Sequence, residues 1–232
     1  MNTLITVENL SKAYDRGPVL KGLNLEIAGG RIVGVMGPNG CGKTTLFKIL
    51  AGLIQDYTGR VAIDGQAPGV HTKSIISYLP EKTYLSDWMK ARNAIDMFAD
   101  FFADFDRQKA EELLRQFHLD GGMRLKSMSK GMQEKLQLIL VMSRRAKLYI
   151  LDEPLSGVDP AARDSILDII LKNYSDDATV LLSTHLIYDV ERIFDDVIML
   201  RDGEVLVADS ADNIRDASGM SLDAYFRGAF KC

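Results

Sequence analysis

The 232-residue sequence is poor in cysteine, tryptophan and histidine, with two, one and three of them. Cys41 and Cys232 cannot build a disulfide framework, and their placement fits a reducing compartment. The N-terminal MNTLITVENL lacks the basic stretch followed by an apolar run that marks a secretory signal. Long hydrophobic runs are absent as well. The longest, around Leu136 to Met142, falls far short of the ~20 residues a bilayer-spanning helix needs. Charge is nearly balanced, at a net −4, and no polybasic block offers an electrostatic footprint for nucleic acid. There is no internal repeat and no low-complexity segment. The expectation is a chain that spans no membrane by itself and acts at one only through a partner.

What is present is ordinary globular material, 47% hydrophobic and 26% charged, enough for one large domain over residues 1–232. Strands are expected at Ile5–Val7, Leu23–Ile27, Ile32–Met36 and Arg60–Ile63, with turns at Gly29-Gly30 and Asp64-Gly65. A helix should start at Gly42 and run to about Leu50, with Gly52 as its stop. From about Lys82 to Ser143 the period turns helical, and Gln133 to Ser143 reads as an amphipathic helix ending in Arg144-Arg145. Strand character returns at Leu148–Leu151, Thr179–Ser183, Val197–Leu200 and Glu204–Ala208. Between the first two, a helix opens with Asp159 as cap and Pro160 at its first position. This alternation predicts an α/β fold with a mostly parallel sheet, and the strand-rich start predicts a smaller antiparallel sheet beside it.

The segment Gly37-Pro38-Asn39-Gly40-Cys41-Gly42-Lys43-Thr44-Thr45 matches the phosphate-binding pattern G-x-x-x-x-G-K-[ST] in full. It follows an apolar strand and opens a helix, the context the pattern requires. Gly37, Gly40 and Gly42 let consecutive N–H groups point at phosphate oxygens, and the helix dipole adds partial positive charge there. Lys43 can reach the β- and γ-phosphates, and the Thr44 hydroxyl can ligate Mg²⁺. Cys41 reads as a small loop residue. This loop alone leaves kinases, GTPases, helicases and transport ATPases open. Leu148-Tyr-Ile-Leu-Asp152-Glu153 narrows the choice, being an apolar strand that ends in two carboxylates. Asp152 suits the Mg²⁺ shell, and Glu153 can polarise an attacking water as general base.

In order, the P-loop, Ser129-Lys-Gly-Met-Gln, Leu151-Asp-Glu-Pro, Ser156-Gly-Val-Asp159 and Ser183-Thr-His185 resemble the ATP-binding cassette (ABC) proteins over essentially the whole chain. The resemblance implies a P-loop core, an antiparallel β subdomain and a helical subdomain inserted at about 82–145. It implies that Tyr14 stacks on adenine, and that His185 contacts the γ-phosphate and helps orient Glu153. Glu81 stands where the family usually has glutamine, beside the groove for membrane subunits; a carboxylate there can still ligate Mg²⁺. Ser129, Lys130, Gly131 and Met132 occupy the signature position, usually Leu-Ser-Gly-Gly-Gln, which acts on the ATP of a partner cassette. Lys130 and Met132 depart from that pattern, and an exposed lysine is the commoner state. Asp159 resembles the acid that couples two active sites across a dimer, and it is equally a good helix cap.

The resemblance therefore implies a Mg²⁺-dependent ATPase that pairs with a second cassette, identical or related. It docks on separate integral membrane permease subunits, peripheral on the cytoplasmic face of the cell membrane, and most resembles exporters. A soluble cassette working without a permease is the alternative. The aromatic and methionine residues Tyr84, Trp88, Met89, Phe98, Phe101 and Phe102 offer a docking surface, although at helical spacing such residues more often make core.

Overall fold

The structure, a computed structural model, describes residues 2–175 and 177–230, so Cys232 lies outside the described residues. Its centre is a six-stranded sheet of order β5-β6-β7-β3-β8-β9, formed by Ile76–Leu79, Leu148–Asp152, Thr179–Ser183, Ile32–Met36, Asp196–Arg201 and Glu204–Ser210. Five strands run parallel and β9 pairs antiparallel with β8. Both faces of the central strands β3, β6, β7 and β8 are covered, so these strands read as apolar runs rather than as alternating ones. Successive side chains still point to opposite faces. On β6, Tyr149 and Leu151 enter the core shared with the helical elements, while Leu148 and Ile150 enter the core under the smaller sheet. On β8, Val197 and Met199 part from Ile198 and Leu200 in the same way.

The smaller sheet, of order β2-β1-β4, is antiparallel and consists of Gly17–Ala28, Thr3–Tyr14 and Thr58–Ile63. β1 and β2 are each twelve residues long, well beyond the apolar stretches that announce them. Their outward faces carry polar residues that conceal strand character in a hydropathy pattern. The two sheets meet where the Lys21 N–H donates to the Gly203 carbonyl at 2.8 Å.

Helix α1, Lys43–Leu50, follows β3 and ends before Gly52, whose positive φ of 68° stops it. Helix α2, Val70–Ile75, leads into β5; neither is evident in the sequence, because four residues ending at a proline carry little strand signal of their own. Between β5 and β6 lie α3, Ala91–Phe101, α4, Arg107–Gln116, a 3₁₀ turn at Leu125–Ser127, and α5, Lys130–Met142. α5 differs from the amphipathic helix expected over Gln133–Ser143. It begins three residues earlier, and every residue from Leu136 to Met142 is buried, Gln137 included, because α3, α4, α6 (Pro160–Asn173) and β5 pack around it. Arg144 follows α5 and joins these helices to the sheet. It is buried, pairs with Asp104 at 3.0 Å, donates to the Ser74 carbonyl at 2.7 Å and lies 3.9 Å from the Phe102 ring centre. α7, Ile187–Val190, α8, Ala211–Ser218, and α9, Leu222–Ala229, complete the described chain.

Candidate functional site

Four parallel strands end side by side, and the loops that leave them converge on one site. Asp152 on β6 is in register with Ser183 on β7, and Ser183 with Val35 on β3. β5 aligns Leu79 with Leu151, which brings Glu81, two residues on, to the same edge. In an α/β sheet, ligands bind outside the carboxyl ends of the strands. Here a cleft of about 530 Å³ is lined by Asn39, Gly40, Gly42, Lys43, Thr44, Thr45, Glu81, Glu153, Ser156 and His185, with Val19 of β2 at its side.

The loop after β3 is built around backbone that only glycine adopts readily. Gly42 caps α1 at φ 111°, and a Cβ there would lie 2.5 Å from Leu20 Cδ2. Gly37, at φ 155°, would bring a Cβ within 2.5 Å of the Cys41 sulfur, so Cys41 is a packing neighbour inside the loop. Burial pushes the Cys41 thiol upward, which keeps it protonated. Pro38 and Asn39 are exposed on the rim. Lys43 Nζ is buried and donates to the carbonyls of Gly37 at 2.7 Å and Pro38 at 3.2 Å. The lysine is thus held inside the loop, aimed at the space its N–H groups surround.

Asp152, 1% exposed, sits against this loop. Burial raises its carboxyl above the usual carboxylate range, opposed by the hydroxyls of Ser183 and Thr44 and by Lys43, and reinforced by Glu81. Ser183 Oγ donates to Asp152 Oδ1 at 2.7 Å, while Oδ2 has no hydrogen-bond partner among the described residues. A buried carboxylate oxygen without a partner, next to a threonine hydroxyl and a second carboxylate, is the all-oxygen donor set that Mg²⁺ takes. The residues therefore fit the ion.

Glu153 follows in left-handed backbone, φ 52°, anchored by its N–H to Ser183. That turn sends its side chain away from that of Asp152 and into the cleft, where Oε2 lies 2.8 Å from His185 Nδ1. Ser183 orients both acids. Sequence reasoning placed it only inside a motif, and a serine closing an apolar strand was the available signal.

Tyr14 and Asp159 are not among the residues that line this cleft. Tyr14 stands at the end of the β1–β2 hairpin, 47% exposed. Ser129, Lys130, Gly131 and Met132 are absent from the cleft lining. Ser129 caps α5 by accepting from the Met132 N–H at 3.3 Å, and Lys130, its side chain 74% exposed, pairs with Glu134 at 3.6 Å. An adjoining hollow of about 320 Å³ shares Glu81 and Ser156 with the cleft and reaches Lys130. Asp159 is exposed directly before α6.

A second concavity is chemically distinct. A groove of about 650 Å³ lies between β5, α1 and α3, with Leu53, Tyr84, Phe98, Phe101 and Phe102 in its walls. Lys48, Lys73, Lys82 and Arg144 bring four cations to it. The aromatic block of the sequence thus divides, with Met89 and Phe98 in the core while Tyr84, Trp88 and Phe101 are exposed.

Comparison with known proteins agrees with this architecture. Residues 20–156 match the family described as ABC transporter. An uncharacterised ABC transporter ATP-binding protein of Methanocaldococcus jannaschii is 34% identical over 215 residues, covering 89% of this chain and 77% of its own. The daunorubicin resistance ATP-binding protein DrrA3 of Streptomyces coeruleorubidus is 30% identical, covering 98% of this chain and 75% of its own. The solved structure of an ATP-binding subunit of an ABC transporter superposes with a TM-score of 0.88 at 29% identity, over 99% of this chain and all of that one. With the family pattern matched over more than half its length and relatives aligned over most of the rest, this chain belongs to the ABC transporter family as one of its ATP-binding proteins.

Proposed function

We propose that the chain hydrolyses ATP and uses the cycle of binding and hydrolysis to drive transport through separate membrane permease subunits, in the direction of export. The observation that carries the hydrolytic part is the Glu153–His185 contact of 2.8 Å, facing the phosphate loop within one cleft. In this reading the loop N–H groups and Lys43 hold the β- and γ-phosphates, and Thr44, Asp152 and Glu81 hold Mg²⁺. The ion, when bound, neutralises charge on the phosphate oxygens. His185 orients Glu153, and Glu153 takes a proton from water as that water's oxygen bonds to the γ-phosphorus. The bond from the γ-phosphorus to the bridging oxygen breaks, leaving ADP and phosphate. Tyr14 stacks on the base.

A second cassette, identical or related, completes each site. Its support is that the signature residues Ser129–Met132 stand at the start of α5 and outside their own chain's cleft. They are available to another subunit's γ-phosphate, and Asp159 couples the two sites. Binding of ATP would then close the pair and hydrolysis would loosen it.

The basic, aromatic groove supports docking of a permease segment that carries apolar side chains and a carboxylate. Among the described residues, no helix is long and apolar enough to cross a membrane. The place we assign is peripheral, on the cytoplasmic face, and its support is the likeness to ATP-binding proteins of ABC transporters. Export is supported by the likeness to a protein named for drug resistance.

Phosphate release from Mg²⁺·ATP is the test. Glu153→Gln is expected to retain ATP binding while turnover falls by about 10²- to 10⁴-fold. Turnover at the wild-type rate would remove Glu153 from the reaction.

A further inference from the structure

A cation sits beside the proposed base site and outside the lining of the phosphate cleft. Lys12 and Tyr14 are two residues apart near the end of β1. The Lys12 side chain is 7% exposed, and its Nζ lies 2.9 Å from an Asp56 carboxylate oxygen and 4.9 Å from the centre of the Tyr14 ring. Asp56 belongs to the connection between α1 and β4 and is itself fully open to solvent. With its side chain so covered, the ammonium stays where its partners hold it. Its partners here are a carboxylate and the face of a tyrosine. Lys12 has no place in the lining of the phosphate cleft, so it is not a triphosphate contact.

We propose that Lys12 is a positioning residue for base recognition, fixing the Tyr14 ring from one side so that its other face receives adenine. The proposal rests on the reading of Tyr14 as the residue that stacks on the base. The choice of face follows from the ammonium's place over the other one. Tyr14 is half exposed, and a ring face that already carries an ammonium cannot also take a base, which leaves the opposite face for adenine. A cation over an aromatic face within about 6 Å is attracted by the ring quadrupole and sets the tilt of the ring. A ring already held in place loses less rotamer freedom when a base stacks on it. Asp56 adds a second consequence. It lies a few residues beyond the end of α1, the helix that opens on the phosphate loop, so the base platform is tethered to the element that positions the phosphates.

The test is calorimetric titration with Mg²⁺·ATP and, separately, with inorganic tripolyphosphate, which has no base. Lys12→Met keeps the apolar stem and leaves Asp56 in solvent rather than buried without a partner. It is expected to weaken ATP binding by about three- to tenfold and to leave tripolyphosphate binding unchanged. Lys12→Arg retains the cation over the ring and is expected to bind ATP as the wild type does. In a Tyr14→Ala background, Lys12→Met should have no further effect. Equal losses for ATP and tripolyphosphate, or equal losses for the Met and Arg variants, would overturn the proposal. Wild-type ATP affinity in Lys12→Met, with a clear loss in Tyr14→Ala, would overturn the role of Lys12 and leave the tyrosine's intact. No loss in Tyr14→Ala would remove the base-stacking reading, and the proposal with it.

Discussion

Asp152 illustrates how one buried residue serves a ligand at the expense of the protein without that ligand. Its carboxyl is enclosed, bonded through one oxygen to Ser183 and, among the described residues, unpartnered at the other. Burial raises its pKa in the folded state, so the folded protein binds this proton more tightly than the unfolded chain does. The associated stability is fully present below the ordinary carboxylate pKa and is lost as pH rises through the raised value. Asp152→Asn should therefore raise the thermal midpoint of the nucleotide-free protein at neutral pH, with the difference narrowing as pH falls toward the carboxylate range. Unfolding scans across pH check this. The same variant should lose most Mg²⁺-dependent ATP turnover, since an amide cannot supply the anionic ligand. Neighbouring Glu153 shows what spacing alone conveys: two adjacent acids after an apolar strand suggest two roles, but only the left-handed turn at Glu153 shows how the second reaches His185.

At the scale of elements, a helix start does the chemical positioning twice. α1 begins at Gly42 in a backbone conformation, φ 111°, and a packing against Leu20 that a side chain would disturb. Gly42→Ala is expected to cost about 1–3 kcal/mol of stability, or to shift the loop, and to abolish measurable ATP binding; denaturant unfolding together with titration reads both. α5 begins at Ser129, whose hydroxyl caps the helix. Ser129→Ala should cost about 1 kcal/mol in chemical denaturation. If the signature acts on a partner's nucleotide, its loss of turnover should exceed what that small destabilisation explains, with ATP affinity of the isolated chain unchanged.

At the scale of the molecule, the phosphate cleft and the basic aromatic groove lie on two sides of the segment that follows β5. Tyr78 and Pro80 line the groove, and Glu81 lines the cleft. A segment docked in one is thus connected to the other through a few residues of chain. Phe101 is 78% exposed at the edge of the groove, so Phe101→Glu should change stability by no more than about 0.5 kcal/mol and leave ATP binding intact. It should also abolish co-purification of membrane subunits from gently solubilised native membranes with ATP present. Recovery of multi-span proteins with the wild type but not the variant supports the transporter reading. Recovery of soluble partners alone would favour a cassette that works without a permease.

The phosphate-loop pattern, the two acids at a strand end and the α/β class were legible in the residues themselves, because each depends on local chemistry, whereas His185 entered only through the family resemblance. Glycines allow the tight turn, apolar strands run into acids, and Pro160 opens its helix where expected. The length of β1 and β2, the existence of β5 and the complete burial of α5 were not legible. Each is decided by what packs or pairs from distant parts of the chain, such as β6 against β5 and three helices against α5. The division of Met89 and Phe98 from Trp88 and Phe101 belongs with them, since helical spacing alone cannot say which side of a helix finds a neighbour. Lys12 is the plainest case: near one end of a strand it reads as an ordinary surface lysine, and only the fold brings Asp56, 44 residues away, to its ammonium beside the Tyr14 ring.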